Sequence, residues 1–249
     1  TTTERVLILG EIYRRSTGWK FRAVGQGWDG GLGALLTTFG VTVDDEPDTP
    51  ASASTVPQVR MTKGEDRLPV GMRKRLNVRK LQVLVSLDKH GAGDLTARVL
   101  LVLDGSGSIV REYANGMMAM VVERMAAIAA QLDDDGTMQV WKFAAKVDRA
   151  GDLTIANMPR WLKGELNPNM LTRLGGVNNE AVAIRAVIDY VKAHPADAPT
   201  LVLFLSDGGV HFFNADKIER LLRDAALEPI FWQFIGLGVA DYGILEHLD

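Results

Sequence analysis

Two apolar runs dominate the hydropathy pattern of this chain: Val99-Leu100-Leu101-Val102-Leu103 and Leu201-Val202-Leu203-Phe204-Leu205. Neither alternates with polar residues, so each predicts a strand buried on both faces, as in a parallel sheet covered by helices. The segments around them alternate in type. Residues Tyr113 to Leu132 predict a long apolar helix, and its methionines at 117, 118, 120 and 125 read as core filler rather than a binding stripe. Met138 to Phe143 predicts a strand, ended by Ala144-Ala145-Lys146, and Trp161-Leu162 opens a short helix. Glu180 to Ala193 and Lys217 to Ala226 carry helical periodicity, Ile230 to Ile235 reads as a final strand, and Tyr242 to Leu248 begins another helical pattern. This alternation predicts an α/β fold, a mostly parallel sheet with helices on both faces.

The first part of the chain reads differently. Val6-Leu7-Ile8-Leu9 and the stretch from Trp19 to Val24 look like strands joined through Arg14-Arg15-Ser16-Thr17-Gly18. Gly30 to Phe39 reads as a short helix and Val41-Thr42-Val43 as a strand. Residues 44–58 (DDEPDTPASASTVPQ) have linker composition, rich in Pro, Ser, Thr and acid. The predicted organisation is therefore a small β-rich segment over 1–43, a linker over 44–64 and the α/β domain over 65–249. Past the linker, Arg73-Lys74-Arg75 and Arg79-Lys80 form a basic stretch, expected to be a solvated face. No aromatics interleave with these cations, and the net charge of −3 argues against nucleic acid as the partner. No apolar stretch reaches the roughly 18 residues that span a bilayer. The first residues, Thr1-Thr2-Thr3-Glu4-Arg5, lack the layout of a signal peptide, so the cytoplasm is the expected compartment. The sequence contains no cysteine, which removes disulfides, thiolate metal sites and cysteine nucleophiles.

The candidate chemistry lies where the two buried runs end. The first runs into Asp104-Gly105-Ser106-Gly107-Ser108 and the second into Ser206-Asp207-Gly208-Gly209. In open α/β sheets ligands bind at the carboxyl ends of the strands, at the topological switch point. Two carboxylates and three serines converging there suit a hard divalent cation, which takes oxygen ligands. Several enzyme readings fail on the same residues. A haloacid-dehalogenase phosphatase needs a second Asp where Ser106 stands, and a dinucleotide fingerprint needs Gly where Val110 stands. The Gly-x-Ser-x-Gly elbow of serine hydrolases is absent at Ser106, which has Asp104 two residues before it. His211, close after Asp207, reads as an ordinary loop histidine.

The motif Asp104-x-Ser106-x-Ser108, with Asp207 in a late Asp-Gly turn, resembles the metal-ion-dependent adhesion site of von Willebrand factor A domains. The family's middle loop reads Gly-Gly-Thr-Asn, and here it is Gly175-Gly176-Val177-Asn178, so one hydroxyl ligand is replaced by valine. Thr172 and Asn178 are candidate substitutes on the same loop. The stretch Trp19-Lys20-Phe21-Arg22-Ala23-Val24-Gly25-Gln26-Gly27 resembles the C-terminal part of TerD-type tellurium-resistance domains. The pairing of the two resembles the TerF-like branch of that system. It implies a Rossmann-like von Willebrand A fold preceded by a TerD-like fragment. The metal ligands it implies are Asp104, Ser106, Ser108 and Asp207, with Mg²⁺ the expected ion and Mn²⁺ or Ca²⁺ the alternatives. The function it implies is non-enzymatic: a module in tellurium or stress resistance whose ion holds an Asp or Glu of a partner protein. That partner could itself be a tellurium-resistance protein. A metal-free scaffold, self-associating through residues 1–43, is the alternative, and a metal-dependent phosphate-handling enzyme is a third reading.

Overall fold

The computed structural model describes residues 6–15, 18–28, 59, 61–133, 136–208 and 214–237, the first two of these ranges as backbone only. The chain divides into two compact units, with the break after Val56. In the first unit, β1 (Val6–Arg15) and β2 (Gly18–Trp28) pair antiparallel, with a register irregularity between Ile8 and Gly10. Both predicted strands are present, and each runs longer than its apolar kernel. The elements predicted over Gly30 to Phe39, Val41 to Val43 and Tyr242 to Leu248 lie outside the described residues.

The second unit is an α/β sandwich around one sheet. Its strands are β3 (Arg98–Asp104), β4 (Thr137–Phe143), β5 (Val147–Arg149), β6 (Leu153–Thr154), β7 (Thr200–Ser206) and β8 (Ile230–Gly236). The order across the sheet is β5-β4-β3-β7-β8, with β6 pairing on β4. The four long strands are parallel, and β5 and β6 add antiparallel to β4. The sheet therefore grows from β3 to β4 on one side and later to β7 on the other. That reversal makes the carboxyl ends of β3 and β7 the switch point. β3 is buried on both faces, as its unbroken apolar run predicts. Val99, Leu101 and Leu103 join one core, and Leu100 and Val102 join the other.

Helices cover both faces. The first core packs α3 (Met117–Leu132) and α4 (Met158–Glu165) on the sheet, and the second packs α5 (Glu180–Ala193) and α6 (Ala215–Ala225). Helix α1 (Val70–Lys89) lies against α3, and the short helix α2 (Val110–Ala114) precedes α3. The single helix predicted from Tyr113 to Leu132 is broken. Gly116 adopts a left-handed φ of 81°, and the Asn115 side chain caps the amide of Met117 at 2.9 Å. The methionines also divide: Met118 and Met125 are core, whereas Met117 and Met120 are exposed.

The basic stretch is corrected as well. It lies on α1 and is only partly solvated. Arg75 and Arg79 both bind Glu123 on α3, at 3.0 and 2.9 Å, and Lys80 is fully buried against Glu65. Lys80 also donates to the Thr62 hydroxyl at 3.1 Å, which donates to the carbonyl of Ala130 at 3.1 Å, while the Thr62 amide donates to Glu65 at 2.7 Å. This network fastens the start of the second unit and α1 to α3. Removing one charge strands the other in an apolar interior. We expect Glu65→Leu to destabilise the protein by about 3–5 kcal/mol in urea unfolding, and Glu65→Leu with Lys80→Met to recover most of that loss. Equal losses in the single and the double variant would exclude this role.

Candidate functional site

The site is built from three loops at the carboxyl edge of the sheet. The first follows β3. Its turn lies close against β4: the Gly105 amide donates to Phe143 O at 2.7 Å, and a Cβ at Gly105 would stand 2.8 Å from Leu174 Cδ1. Glycine at this position allows the turn to form without displacing the core. Asp104 is fully buried at the strand end. Its Oδ1 accepts from the Ser106 amide at 2.8 Å, its Oδ2 accepts from the Ser206 hydroxyl at 3.2 Å, and its backbone carbonyl accepts from Tyr113 at 2.8 Å. The hydroxyls of buried Ser106 and exposed Ser108 lie 3.0 Å apart.

The second loop follows β7. Ser206, buried, links the two strands: besides donating to Asp104 it accepts from the Gly208 amide at 3.2 Å. Asp207 comes next, and its Oδ1 is buried with no hydrogen bond. The third loop, Gly175 to Glu180, is tied to both others. The Gly107 amide donates to Gly176 O at 3.2 Å, and Asn178 Nδ2 donates to Gly208 O at 2.6 Å. Gly175 holds a φ of 81°, and a Cβ there would meet Ala145 Cβ at 2.9 Å. The predicted residues Asp104, Ser106 and Ser108 thus share one hydrogen-bonded cluster with Ser206, and Asp207 adjoins it. Asn178 reaches the Asp207-Gly208 turn. Thr172 does not join: it is exposed, and its hydroxyl donates to Asn169 O at 3.1 Å. Val177 is 65% exposed, so its side chain faces solvent. His211 lies outside the described residues.

The residue that sequence reasoning missed is Glu180. It opens α5, where an acid is ordinary compensation for the helix dipole, so the sequence alone gives no reason to single it out. Here it is fully buried, and neither carboxylate oxygen accepts a hydrogen bond. The Oδ1 atoms of Asn178 and Asn179 are also buried and unpaired. Burial raises the Asp104 carboxyl to about 6, opposed by hydrogen bonding from Ser106 and reinforced by the charge of Asp207. Burial raises Glu180 to about 7, opposed by the dipole of its own amide, whose geometry falls short of a hydrogen bond, and reinforced by the charges of Asp104 and Asp207. Among the described residues no three His, Cys, Asp or Glu side chains stand close enough to hold one metal ion by themselves.

A mostly parallel sheet carrying Asp-x-Ser-x-Ser at its switch point defines a von Willebrand factor A domain. A family model described as the von Willebrand A domain found in the TerF C terminus matches residues 96–249, and the chain belongs to that family. A TerD domain model matches residues 1–39. The protein YcbR of Bacillus subtilis (strain 168) is 31% identical over 175 residues, 70% of each chain. The tellurium resistance protein TerA of Alcaligenes sp is 54% identical over 44 residues, 18% of this chain and 13% of that protein. The tellurium resistance protein TerD of Serratia marcescens is 48% identical over 40 residues, 16% of this chain and 21% of that one. Among solved structures, proximal thread matrix protein 1 from mussel byssus, with a zinc-occupied adhesion motif, aligns with a TM-score of 0.43 and 16% identity, over 59% of this chain and 39% of that one. An aerotolerance-related membrane protein from Bacteroides fragilis aligns with a TM-score of 0.42 and 14% identity, over 57% of this chain and 68% of that one.

The raised acids predict a pH dependence of stability. Glu180 titrates higher in the folded chain, about 7 against an ordinary 4.5, so the folded state binds more protons between those values. Its contribution therefore worsens as pH rises through that window and is harmless below it. In chelator, Glu180→Gln should match wild type near pH 4 and exceed it by up to about 3 kcal/mol near pH 8. A stability gap that stays constant with pH would contradict the assignment.

Proposed function

We propose that this chain is a protein-interaction module of the tellurium and general stress resistance system, working through a divalent-cation site at the switch point. The observation that carries this reading is a one-sided hydrogen-bond inventory. Buried acceptor oxygens of Asn178, Asn179, Glu180 and Asp207, on the two loops that adjoin the Asp104-Ser106-Ser108 loop, have no hydrogen-bond donor. A buried acceptor without a donor costs about 1–3 kcal/mol. A cation beside them would offset several such costs at once, and the donor set, all oxygen, fits a hard ion.

The serine spacing bears on the choice of ion. Mg²⁺ takes octahedral oxygens at about 2.0–2.1 Å, which places neighbouring ligands about 2.9 Å apart, whereas Ca²⁺ needs a wider spacing. The 3.0 Å between Ser106 and Ser108 hydroxyls suits Mg²⁺ or Mn²⁺ better. Ser106 and Ser108 would bind directly, and Asp104 and Asp207 would supply charge through water. When bound, the ion supplies a Lewis-acidic position for an incoming carboxylate. Exposed Ser108 leaves the outer side of the site open to an Asp or Glu of a partner protein. The resistance context rests on the likeness of residues 1–39 to TerD domains and of residues 96–249 to the TerF-type domain. The cytoplasm is its expected compartment.

Calorimetric titration of the chelator-stripped full chain with Mg²⁺, Mn²⁺ and Ca²⁺ tests the proposal. Saturable binding is expected for the wild type and none for Asp104→Ala, with tighter binding of Mn²⁺ and Mg²⁺ than of Ca²⁺. No heat from the wild type at millimolar metal would sink the cation reading and favour the metal-free scaffold.

A further inference from the structure

The described residues include six buried charged side chains: Glu65, Lys80, Asp104, Glu123, Lys142 and Glu180. Four of them are matched with opposite charge. Lys80 meets Glu65, Glu123 meets Arg75 and Arg79, and Lys142 meets Glu165 at 2.7 Å. The two that no basic side chain meets are Asp104 and Glu180, and both stand at the switch point. Asp104 at least receives the Ser106 amide and the Ser206 hydroxyl. Glu180 receives no hydrogen bond on either oxygen. Among the described residues, Glu180 is the buried charge left with neither an opposite charge nor a hydrogen bond.

Glu180 closes the loop in which Val177 replaces the hydroxyl of the family pattern, and Val177 itself turns outward. The loop is fixed by Asn178 on Gly208 O and by Gly176 O on the Gly107 amide, so Glu180 starts its helix from a loop already clamped to both other loops. Glu180 thus follows directly on the two bonds that join its loop to the Asp104 turn and to the Asp207-Gly208 turn. Among the described residues no three such acids form a metal-holding group by themselves. A carboxylate in that position acts on an ion through a bridging water, as partners of directly bound ligands commonly do.

We propose that Glu180 is a third acidic group of the cation site, acting through water in place of the hydroxyl lost at Val177. The proposal rests on the cation reading above. The site of this chain is then richer in negative charge than the sequence motif implies, and it holds its ion through that charge. Val177→Thr adds a hydroxyl on the solvent side and contributes nothing.

Mn²⁺ titration of the full-length, chelator-stripped protein at pH 8 separates these statements. Glu180→Gln should weaken Mn²⁺ by at least about tenfold, and Glu180→Ala, which removes the same charge by another route, should do likewise. Val177→Thr should stay within about twofold of wild type. Near-ultraviolet circular dichroism checks that each variant is folded, and the rise of Tm with Mn²⁺ should shrink in both Glu180 variants. Wild-type binding with unchanged affinity in folded Glu180 variants overturns the role of Glu180 and leaves the cation site standing. Tighter binding in Val177→Thr would return the role to the lost hydroxyl. A wild type that binds no Mn²⁺ overturns both proposals together.

Discussion

The second unit depends on one constraint: a carboxylate is held at the end of the central strand, out of water. Asp104 lies at the point where the sheet reverses direction, between β4 and β7. Keeping an acid there requires donors on a fixed frame. The Ser106 amide comes from the turn itself, the Ser206 hydroxyl from the neighbouring strand, and Tyr113 holds the carbonyl from α2. Burial raises the Tyr113 phenol, so it acts as a donor throughout the physiological range. The glycine at 105 and the small serines at 106 and 206 follow from bringing the segments together at one carboxylate.

The same constraint explains why the buried runs were legible. An unbroken apolar run with both faces in the core has only one way to lie, as a central parallel strand, and its end must be the site edge. β3, β4, β7, β8, α5 and α6 all lie where periodicity places them. The elements that escaped are those whose identity comes from tertiary contacts. β5 and β6 are three and two residues long and exist only as additions to β4. Helix α1 buries only Leu76 and Lys80, so its sequence carries little apolar periodicity. Its cations looked like a solvated face because their acidic partners are distant in sequence, Glu123 more than forty residues away.

The placement of the motif residues was legible to the same degree. Asp104, Ser106, Ser108 and Asp207 follow from strand ends and spacing, and the structure brings them to one edge. The third loop was not legible, because which side chains of Val177, Asn178, Asn179 and Glu180 point inward depends on loop geometry. Val177 is exposed, whereas Glu180, three positions on, is fully buried. Asn178 shows the dependence: its amide nitrogen donates to Gly208 O, while its oxygen is buried without a donor.

The charge count then sets what the proposed site can hold. Asp104 and Asp207 together neutralise a divalent ion, and an arriving carboxylate meets a centre with no net charge. With Glu180 ionised nearby the centre becomes net negative, and the ion is held more firmly before any partner arrives. The attraction for a partner acid falls by the same electrostatics, damped by the bridging water and by solvent on the Ser108 side. Ion retention and partner affinity are therefore opposed through one side chain. In this arrangement affinity for an acidic partner has to draw on contacts beyond the ion.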